Sequence, residues 1–197
     1  MKVLIETSAR HLHLSEDSIK VLFGENYNLT PKKYLSQPGQ FVCEEKVEIV
    51  GPKGSIKGVS VLGPLRTKTQ VEISLTDSRK IGIPAVIRES GDLHNTVGCK
   101  IIGPRGSYVL KEGVIASKRH IHMSVDDAQK NSFKDGQIVC VKVDSTERSG
   151  IFDDVVIRVS DKFKLAMHID TDESNAFGLN GIIGTYGEII LRQCKNR

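Results

Sequence analysis

The chain has 197 residues and a formal net charge of +4, and 39% of its residues are hydrophobic. This composition excludes a disordered or collagen-like protein, and the apolar runs are far shorter than the roughly 20 residues of a membrane span. The basic residues are dispersed and aromatic residues are scarce, so we expect a small anionic substrate and neither nucleic-acid nor membrane partners.

The predicted elements are mostly short strands separated by turns. Hydrophobic alternation and β-branched residues predict strands, and a capping serine predicts each of two helices. In chain order these are a helix over 16–23, strands over 47–50, 56–62, 71–75 and 100–102, a helix over 125–131, and strands over 138–143, 155–159 and 189–191. Strands without crossover helices favour small barrels or a sandwich, and two barrels fit the length better than one.

Two halves of the chain carry related motifs. Residues 8–15, Ser-Ala-Arg-His-Leu-His-Leu-Ser, match residues 117–124, Ser-Lys-Arg-His-Ile-His-Met-Ser. A second match, Val-Glu-Ile-Ser-Leu-Thr-Asp at 71–77 with Met-His-Ile-Asp-Thr-Asp at 167–172, places Glu72 opposite His168. The chain is therefore interpreted as a diverged tandem duplication, in which each half offers a His-x-His pair and one later ligand-type side chain.

A His-x-His pair in a strand points both imidazoles to the same side, where they can reach one metal ion. Two such ligands and a third His or carboxylate suit zinc and leave a fourth position for water or substrate, although these ligand types leave Fe, Mn and Co open. A single His-x-His pair is often only a buried, hydrogen-bonded pair, but its duplication favours metal binding. The two predicted sites are His11, His13 and Glu72, and His120, His122 and His168.

Further candidates lie close to these motifs. Arg66 precedes Glu72 by six residues, so in a regular strand it would share the face of Glu72, and its guanidinium fork suits phosphate. Ser90 is a candidate hydrogen-bond partner for substrate. The Gly-Pro-Lys-Gly and Gly-Pro-Arg-Gly segments, 51–54 and 103–106, are more simply turns than phosphate cradles. The cysteines have no CxxC spacing and are expected to be reduced core residues: Cys43, Cys99, Cys140 and Cys194.

Taken together, the motifs resemble those of the PduL-type phosphotransacylases (phosphate propanoyltransferases) over essentially the whole chain. The segments that carry the resemblance are 10–15, 37–41, 63–66, 70–74, 90–92, 119–124 and 167–173. The resemblance implies a mainly β fold of two β-barrel domains with short helical caps. It also implies their boundaries, one barrel formed by 10–117 and the other by 1–9 with 118–197.

The family's activity is reversible acyl transfer between coenzyme A (CoA) and phosphate at a site with two divalent metal ions, usually Zn²⁺. The resemblance implies that the two predicted triads hold these ions and that Arg66 binds the attacking phosphate as a catalytic residue, with Ser90 as a further phosphate contact. Lys33, Gln40 and Asn175 are candidate CoA contacts from the neighbourhood of the motifs.

The expected partners are CoA, acyl-CoA, phosphate and acyl phosphate, and a homodimer is left open. The predicted first strand begins at Lys2, without the amphipathic extension of microcompartment members of the family. We therefore expect a cytoplasmic enzyme that favours acetyl over propanoyl thioesters. Two alternatives stay open, a dinuclear metallohydrolase and a non-enzymatic metal-binding protein.

Overall fold

The computed structural model describes residues 1–145, 147–179 and 184–191. Within these residues the chain is mainly β, with fourteen strands and four short helices. The strands are β1 (Lys2–Ser8), β2 (His11–His13), β3 (Pro31–Tyr34), β4 (Phe41–Gly51), β5 (Gly54–Gly63), β6 (Gln70–Glu72), β7 (Val86–Arg88), β8 (Val97–Ile102), β9 (Ser107–Ser117), β10 (His120–Met123), β11 (Ile138–Val143), β12 (Gly150–Val159), β13 (Ala166–Asp170) and β14 (Tyr186–Leu191). The helices are α1 (Glu16–Phe23), α2 (Leu75–Ile81), α3 (Val125–Lys130) and α4 (Thr171–Ala176).

Residues 9–117 form one compact unit built around a closed barrel. Its six strands pair in the order β2, β6, β9, β8, β4 and β5, and β5 pairs with β2 to close the ring. Strand β3 adds to β4, and β7 adds to β9. The barrel interior is aliphatic and includes Leu12, Ile49, Val61, Val71 and Ile101, all without solvent exposure.

Residues 1–8 and the described part of 118–197 form the other unit, which is also a closed six-stranded barrel. Its ring order is β10, β13, β1, β14, β11 and β12. These strands correspond, in the same order, to β2, β6, β9, β8, β4 and β5 of the first ring. Every pair of neighbouring strands that is parallel in one ring is parallel in the other, and the same holds for the antiparallel pairs. The predicted mainly β fold with two related barrels is confirmed.

Each barrel includes the strand that directly precedes the other barrel's His-x-His strand. Strand β1 comes just before β2 in the chain, yet it pairs with β13 and β14. Strand β9 comes just before β10, yet it pairs with β6, β7 and β8. The repeated units of sequence and the closed units of structure are therefore offset by one strand.

Helices α1 and α3 follow the two His-x-His strands and agree with the predicted helices to within one residue. The side chains of Ser15 and Ser124 cap their first turns, as expected from the sequence. Helices α2 and α4 were not predicted. They follow β6 and β13, and Ser74 and Asp170 cap them in the same way. None of the four helices, among the residues described, is long and apolar enough to cross a membrane.

The Gly-Pro turns at 51–54 and 103–106 each make a backbone hydrogen bond to the C-terminal part of a helix. The backbone N–H of Lys53 donates to the carbonyl of Ile81 at the end of α2, at 3.0 Å, and that of Arg105 donates to the carbonyl of Leu22 in α1, also at 3.0 Å. A Cβ at Gly51 or Gly103 would collide with the same carbonyl oxygens. Glycine is therefore required by close packing, which supports the interpretation of both segments as turns.

Candidate functional site

The first predicted triad comes together on the barrel of residues 9–117. Strand β2 lies between β5 and β6, and its register places His11 opposite Glu72. Leu12 points into the barrel core, so the alternation of the strand directs His11 and His13 to the other face. One ligand atom from each of His11, His13 and Glu72 lies within 4.8 Å of the other two. All three side chains are buried.

The hydrogen bonds of the two histidines leave nitrogen atoms available for a metal ion. His11 Nδ1 donates to the carbonyl of Ala9 at 2.8 Å, so its Nε2 carries the lone pair and lies 3.6 Å from Glu72 Oε1. His13 Nδ1 is buried and makes no hydrogen bond to any described residue. A backbone partner on one ring nitrogen and a metal on the other is the usual arrangement of ligating histidines. The three side chains therefore fit a divalent metal ion.

The pKa shifts of His13 and Glu72 favour metal binding, whereas the shift of His11 does not. Burial, Arg66 and His11 lower the pKa of His13 to about 3, so this ring is neutral near pH 7. Burial alone would raise the pKa of Glu72, but the nearby His11, His13 and Arg66 outweigh it and hold this pKa well below its usual range. Burial acts to lower the pKa of His11, and the Glu72 carboxylate reverses the net shift. A neutral imidazole and an ionised carboxylate are the forms that ligate metals.

Arg66 reaches this triad from a loop rather than from a strand. Strand β6 begins only at Gln70, so the condition of a regular strand from Arg66 to Glu72 is not met. The loop is fixed instead by the Arg66 N–H, which donates to the carbonyl of Leu14 at 2.8 Å. Arg66 Nη1 donates to Ser90 Oγ at 3.0 Å, and Ser90 Oγ lies 3.3 Å from Glu72 Oε1. Arg66 and Ser90 are thus both placed beside the carboxylate of the triad.

Gln70 joins these groups, although the sequence analysis assigned it no role. Its Nε2 donates to Glu72 Oε1 and, at 2.8 Å, to Ser90 Oγ, while its Oε1 accepts from the Gly91 N–H at 2.8 Å. The side chain is buried. The sequence signal that could have identified Gln70 is its position two residues before Glu72, because residues i and i+2 of a strand share a face.

The second predicted triad comes together on the other barrel. His120 lies opposite His168 in the pairing of β10 with β13. The ring centroids are 4.6 Å apart for His120 and His122, 4.8 Å for His122 and His168, and 5.3 Å for His120 and His168. His120 Nδ1 lies 2.8 Å from the carbonyl of Lys118, as His11 Nδ1 does from that of Ala9. The two His-x-His strands therefore repeat a backbone contact of their first imidazole as well as the His-x-His pair itself.

An ion pair is also repeated beside each triad. Arg10, directly before His11, donates to Asp77 of α2 at 2.9 and 3.0 Å. Arg119, directly before His120, donates to Glu173 of α4 at 3.0 Å. Each pair connects the start of a His-x-His strand to the helix that follows the third residue of the predicted triad, Glu72 or His168.

The three candidate CoA contacts lie on the surface or near it. Lys33 is exposed on β3, and Gln40 is half-buried just before β4. Asn175 is exposed in α4, and its backbone carbonyl accepts from Arg148 Nη1 at 3.2 Å. Lys33 and Gln40 belong to the unit of residues 9–117 and Asn175 to the other unit. Their role in CoA binding stays a prediction.

Two of the cysteines, Cys43 and Cys99, do not resemble activated thiols. Cys43 and Cys99 are buried, and burial raises the pKa of Cys43 to about 11 and that of Cys99 to about 12. Such thiols are protonated at neutral pH and are poor nucleophiles. Cys140 is half-buried, and Cys194 lies outside the described residues.

Comparisons with known proteins show the family of this chain. The sequence profile of the family described as phosphate propanoyltransferase matches residues 4–180. The phosphate propanoyltransferase of Thermotoga maritima is 53% identical over 178 residues, covering 90% of this chain and 85% of that protein. Those of Clostridioides difficile and Listeria monocytogenes are 54% and 50% identical, covering 95% and 96% of this chain and 88% of each relative. The chain therefore belongs to the phosphate propanoyltransferase family of acyltransferases.

Proposed function

We propose that this chain transfers an acyl group reversibly between CoA and phosphate, with acyl phosphate and free CoA as the products of the forward direction. The observation that carries the proposal is the contact of Arg66 with Ser90, beside the triad of His11, His13 and Glu72. An anion-binding guanidinium next to a metal-type ligand set suits phosphate as a substrate. The names of the relatives support the same reaction.

We further propose that two divalent metal ions, most simply Zn²⁺, belong to the enzyme. One would be held by His11, His13 and Glu72, and the other by His120, His122 and His168. When bound, such ions stabilise the negative charge that develops on the thioester oxygen and on the leaving thiolate. The support for the first centre is its compact ligand set, and the support for the second is the repetition of the same strand geometry.

In the proposed reaction Arg66 holds phosphate by two parallel N–H donors and presents one of its oxygens to the thioester carbon. The new C–O bond forms as the C–S bond breaks, and the electron pair of that bond leaves with the CoA sulfur. Ser90 fixes the guanidinium through its hydroxyl, so that phosphate meets an already oriented donor. No covalent intermediate on the protein is required, in keeping with the raised pKa values of Cys43 and Cys99.

The test is the release of CoA from acetyl, propanoyl and butanoyl thioesters by metal-loaded protein, with and without phosphate. We expect release that depends on phosphate and yields acyl phosphate, with acetyl-CoA or propanoyl-CoA preferred. Release of CoA without phosphate would instead indicate a metallohydrolase. Absence of release, together with no thermal stabilisation by CoA, would favour a non-enzymatic metal-binding protein.

The role of Arg66 is tested by R66A. Loss of a charged, bidentate partner is expected to lower kcat/KM for phosphate by at least about 100-fold, because such hydrogen bonds contribute about 1.5–3 kcal/mol each. Metal content should stay that of the wild type. The matched control is R105A, which removes an exposed arginine from a turn of the same barrel. Loss of metal in R66A, or unchanged use of phosphate, would contradict the assignment.

A further inference from the structure

Residues that lie opposite one another on neighbouring strands form a row across a barrel. The row that contains His120 and His168 of the second triad continues onto a third strand. In the barrel of residues 1–8 and 118–191, His120 on β10 lies opposite His168 on β13. His168 in turn lies level with Glu6 on β1. The core residues Ile5 and Met167 precede Glu6 and His168 on these strands, so both side chains point to the outer face of the barrel. Three neighbouring strands therefore present His, His and Glu in one row.

The corresponding row of the other barrel has its carboxylate one strand earlier. There His11 on β2 lies opposite Glu72 on β6, and Glu72 lies level with Ile115 on β9. Ile115 is completely buried and apolar, so the third strand offers no ligand to that triad. Each row therefore contains one carboxylate, on the middle strand in one barrel and on the last strand in the other.

The distance between Glu6 and His168 resembles that between two ligands of one metal ion. Glu6 Oε2 lies 3.7 Å from His168 Nε2, which is longer than a normal hydrogen bond. The matching distance in the first triad, from Glu72 Oε1 to His11 Nε2, is 3.6 Å. A tetrahedral ion with ligand distances of 2.0–2.2 Å holds its ligand atoms about 3.3–3.6 Å apart. Small side-chain shifts would bring both atoms to one ion.

The net charge of a metal centre on the three histidines also favours a carboxylate ligand at Glu6. A divalent ion on three neutral histidines keeps its full charge of +2, whereas the carboxylate of the first triad reduces that charge by one. The side chains of His168 and Glu6 are only 15% and 30% exposed, so water compensates such a charge poorly. A carboxylate at position 6 would give both centres the same net charge.

We propose that Glu6 is a metal ligand of the centre formed by His120, His122 and His168, making it a His₃–carboxylate centre. This inference rests on the proposed function, because it requires that the histidine triad binds metal. Catalytic zinc can expand to five ligands in the transition state, and in that form a centre with four protein ligands still has a position for substrate.

The test is metal binding by E6Q, which keeps the shape of the side chain and removes its charge. Apo protein is titrated with Zn²⁺ in competition with a chromogenic chelator, and with Co²⁺ while the visible absorption is recorded. Wild type should bind two equivalents. In E6Q one equivalent should bind about 10- to 100-fold more weakly or worse, the range known for loss of a group that supports a metal centre. The Co²⁺ absorption of that equivalent should also change.

Two further variants sharpen the test. E188Q, which changes an exposed glutamate on β14 of the same barrel, should bind metal as wild type does. The double variant E6Q/H168E moves the carboxylate to the middle strand, as in the first triad, and should recover most of the affinity lost in E6Q. If E6Q does not fold, E6D is used in its place, since its shorter side chain should also weaken binding and alter the spectrum.

The outcomes distinguish failure of the two proposed metal centres from failure of the role proposed for Glu6. Fewer than two equivalents in wild type would refute the pair of metal centres and the role of Glu6 with it. Two equivalents in wild type and unchanged affinity in E6Q would refute Glu6 alone. Weaker affinity with an unchanged Co²⁺ spectrum would also refute ligation, because it would show that Glu6 acts through His168 without touching the ion.

Discussion

Gln70 is the residue that joins most of the groups around the first triad. Its amide contacts Glu72, Ser90 and Gly91 at once, so it orients a proposed metal ligand and the hydroxyl that holds Arg66. Residues i and i+2 of a strand share a face, so Gln70 and Glu72 lie on the same side of β6. Strand periodicity does not predict the bonds of Gln70 to the 90–91 loop, because a loop some twenty residues away can adopt many positions in an isolated chain.

We predict that Q70A weakens the first metal centre. Glu72 loses a buried amide donor, and loss of such a supporting partner typically lowers metal affinity by about 10- to 100-fold. The measurement is chelator competition on the apo protein, with Q129A, an exposed glutamine of α3, as the control. Affinity equal to wild type for both metal equivalents would show that Gln70 does not position Glu72.

At the scale of secondary-structure elements, the repeated ion pairs connect strands to helices. Arg119 also donates from Nε to the carbonyl of Asp153 at 2.7 Å and lies 5.6 Å from the ring centroid of Phe152. Burial raises the pKa of Glu173 even with Arg119 beside it. Removal of the guanidinium would therefore leave a partly buried carboxylate without its main cationic partner.

We predict that R119A lowers the free energy of unfolding by about 1.5–3 kcal/mol, the range for hydrogen bonds to charged groups. Urea unfolding of the apo protein measures this, with K130A as an exposed cation control on α3. In a double-mutant cycle with E173Q the two losses should not add, since both remove the same contact. Additive losses would indicate that Arg119 acts only through Asp153 and Phe152.

Helices α1 and α3 were predictable because a capping serine and an acidic first turn are local signals. Helices α2 and α4 carry similar capping signals at Ser74 and Asp170 but were not predicted, and the predicted strand over 71–75 overlapped the start of α2. Their formation depends on tertiary packing, for example the turn at 51–54 against the end of α2. Short helices gain most of their stability in this way.

At the scale of the whole molecule, β1 is the first strand of the chain and closes a barrel otherwise formed by residues 118–191. It pairs with β13 and β14 and places Val3 and Ile5 in that barrel's core. Without it, two strand edges and part of an aliphatic core would be exposed. Such a barrel lacks the closure that removes free edges.

We predict that deletion of residues 2–8 abolishes stable folding of that barrel and removes one metal equivalent. Near-ultraviolet circular dichroism and metal analysis measure the loss. A synthetic peptide of residues 1–8 added in trans should restore part of both signals, and the same peptide with V3D and I5D should not. Retention of two metal equivalents by the truncated protein would contradict this requirement for β1.

The sequence by itself determined the ligand chemistry, the repeat and the mainly β class. These depend on residue types and on alternation within windows of a few residues, as in the His-x-His strands, and such patterns need no knowledge of distant contacts. The tertiary structure decided which distant residues join the triads. Arg66 and Ser90 meet across a loop, and Glu6 lies level with His168 only because β1 pairs with β13. Strand register and loop position result from packing over the whole barrel, and no local window encodes them.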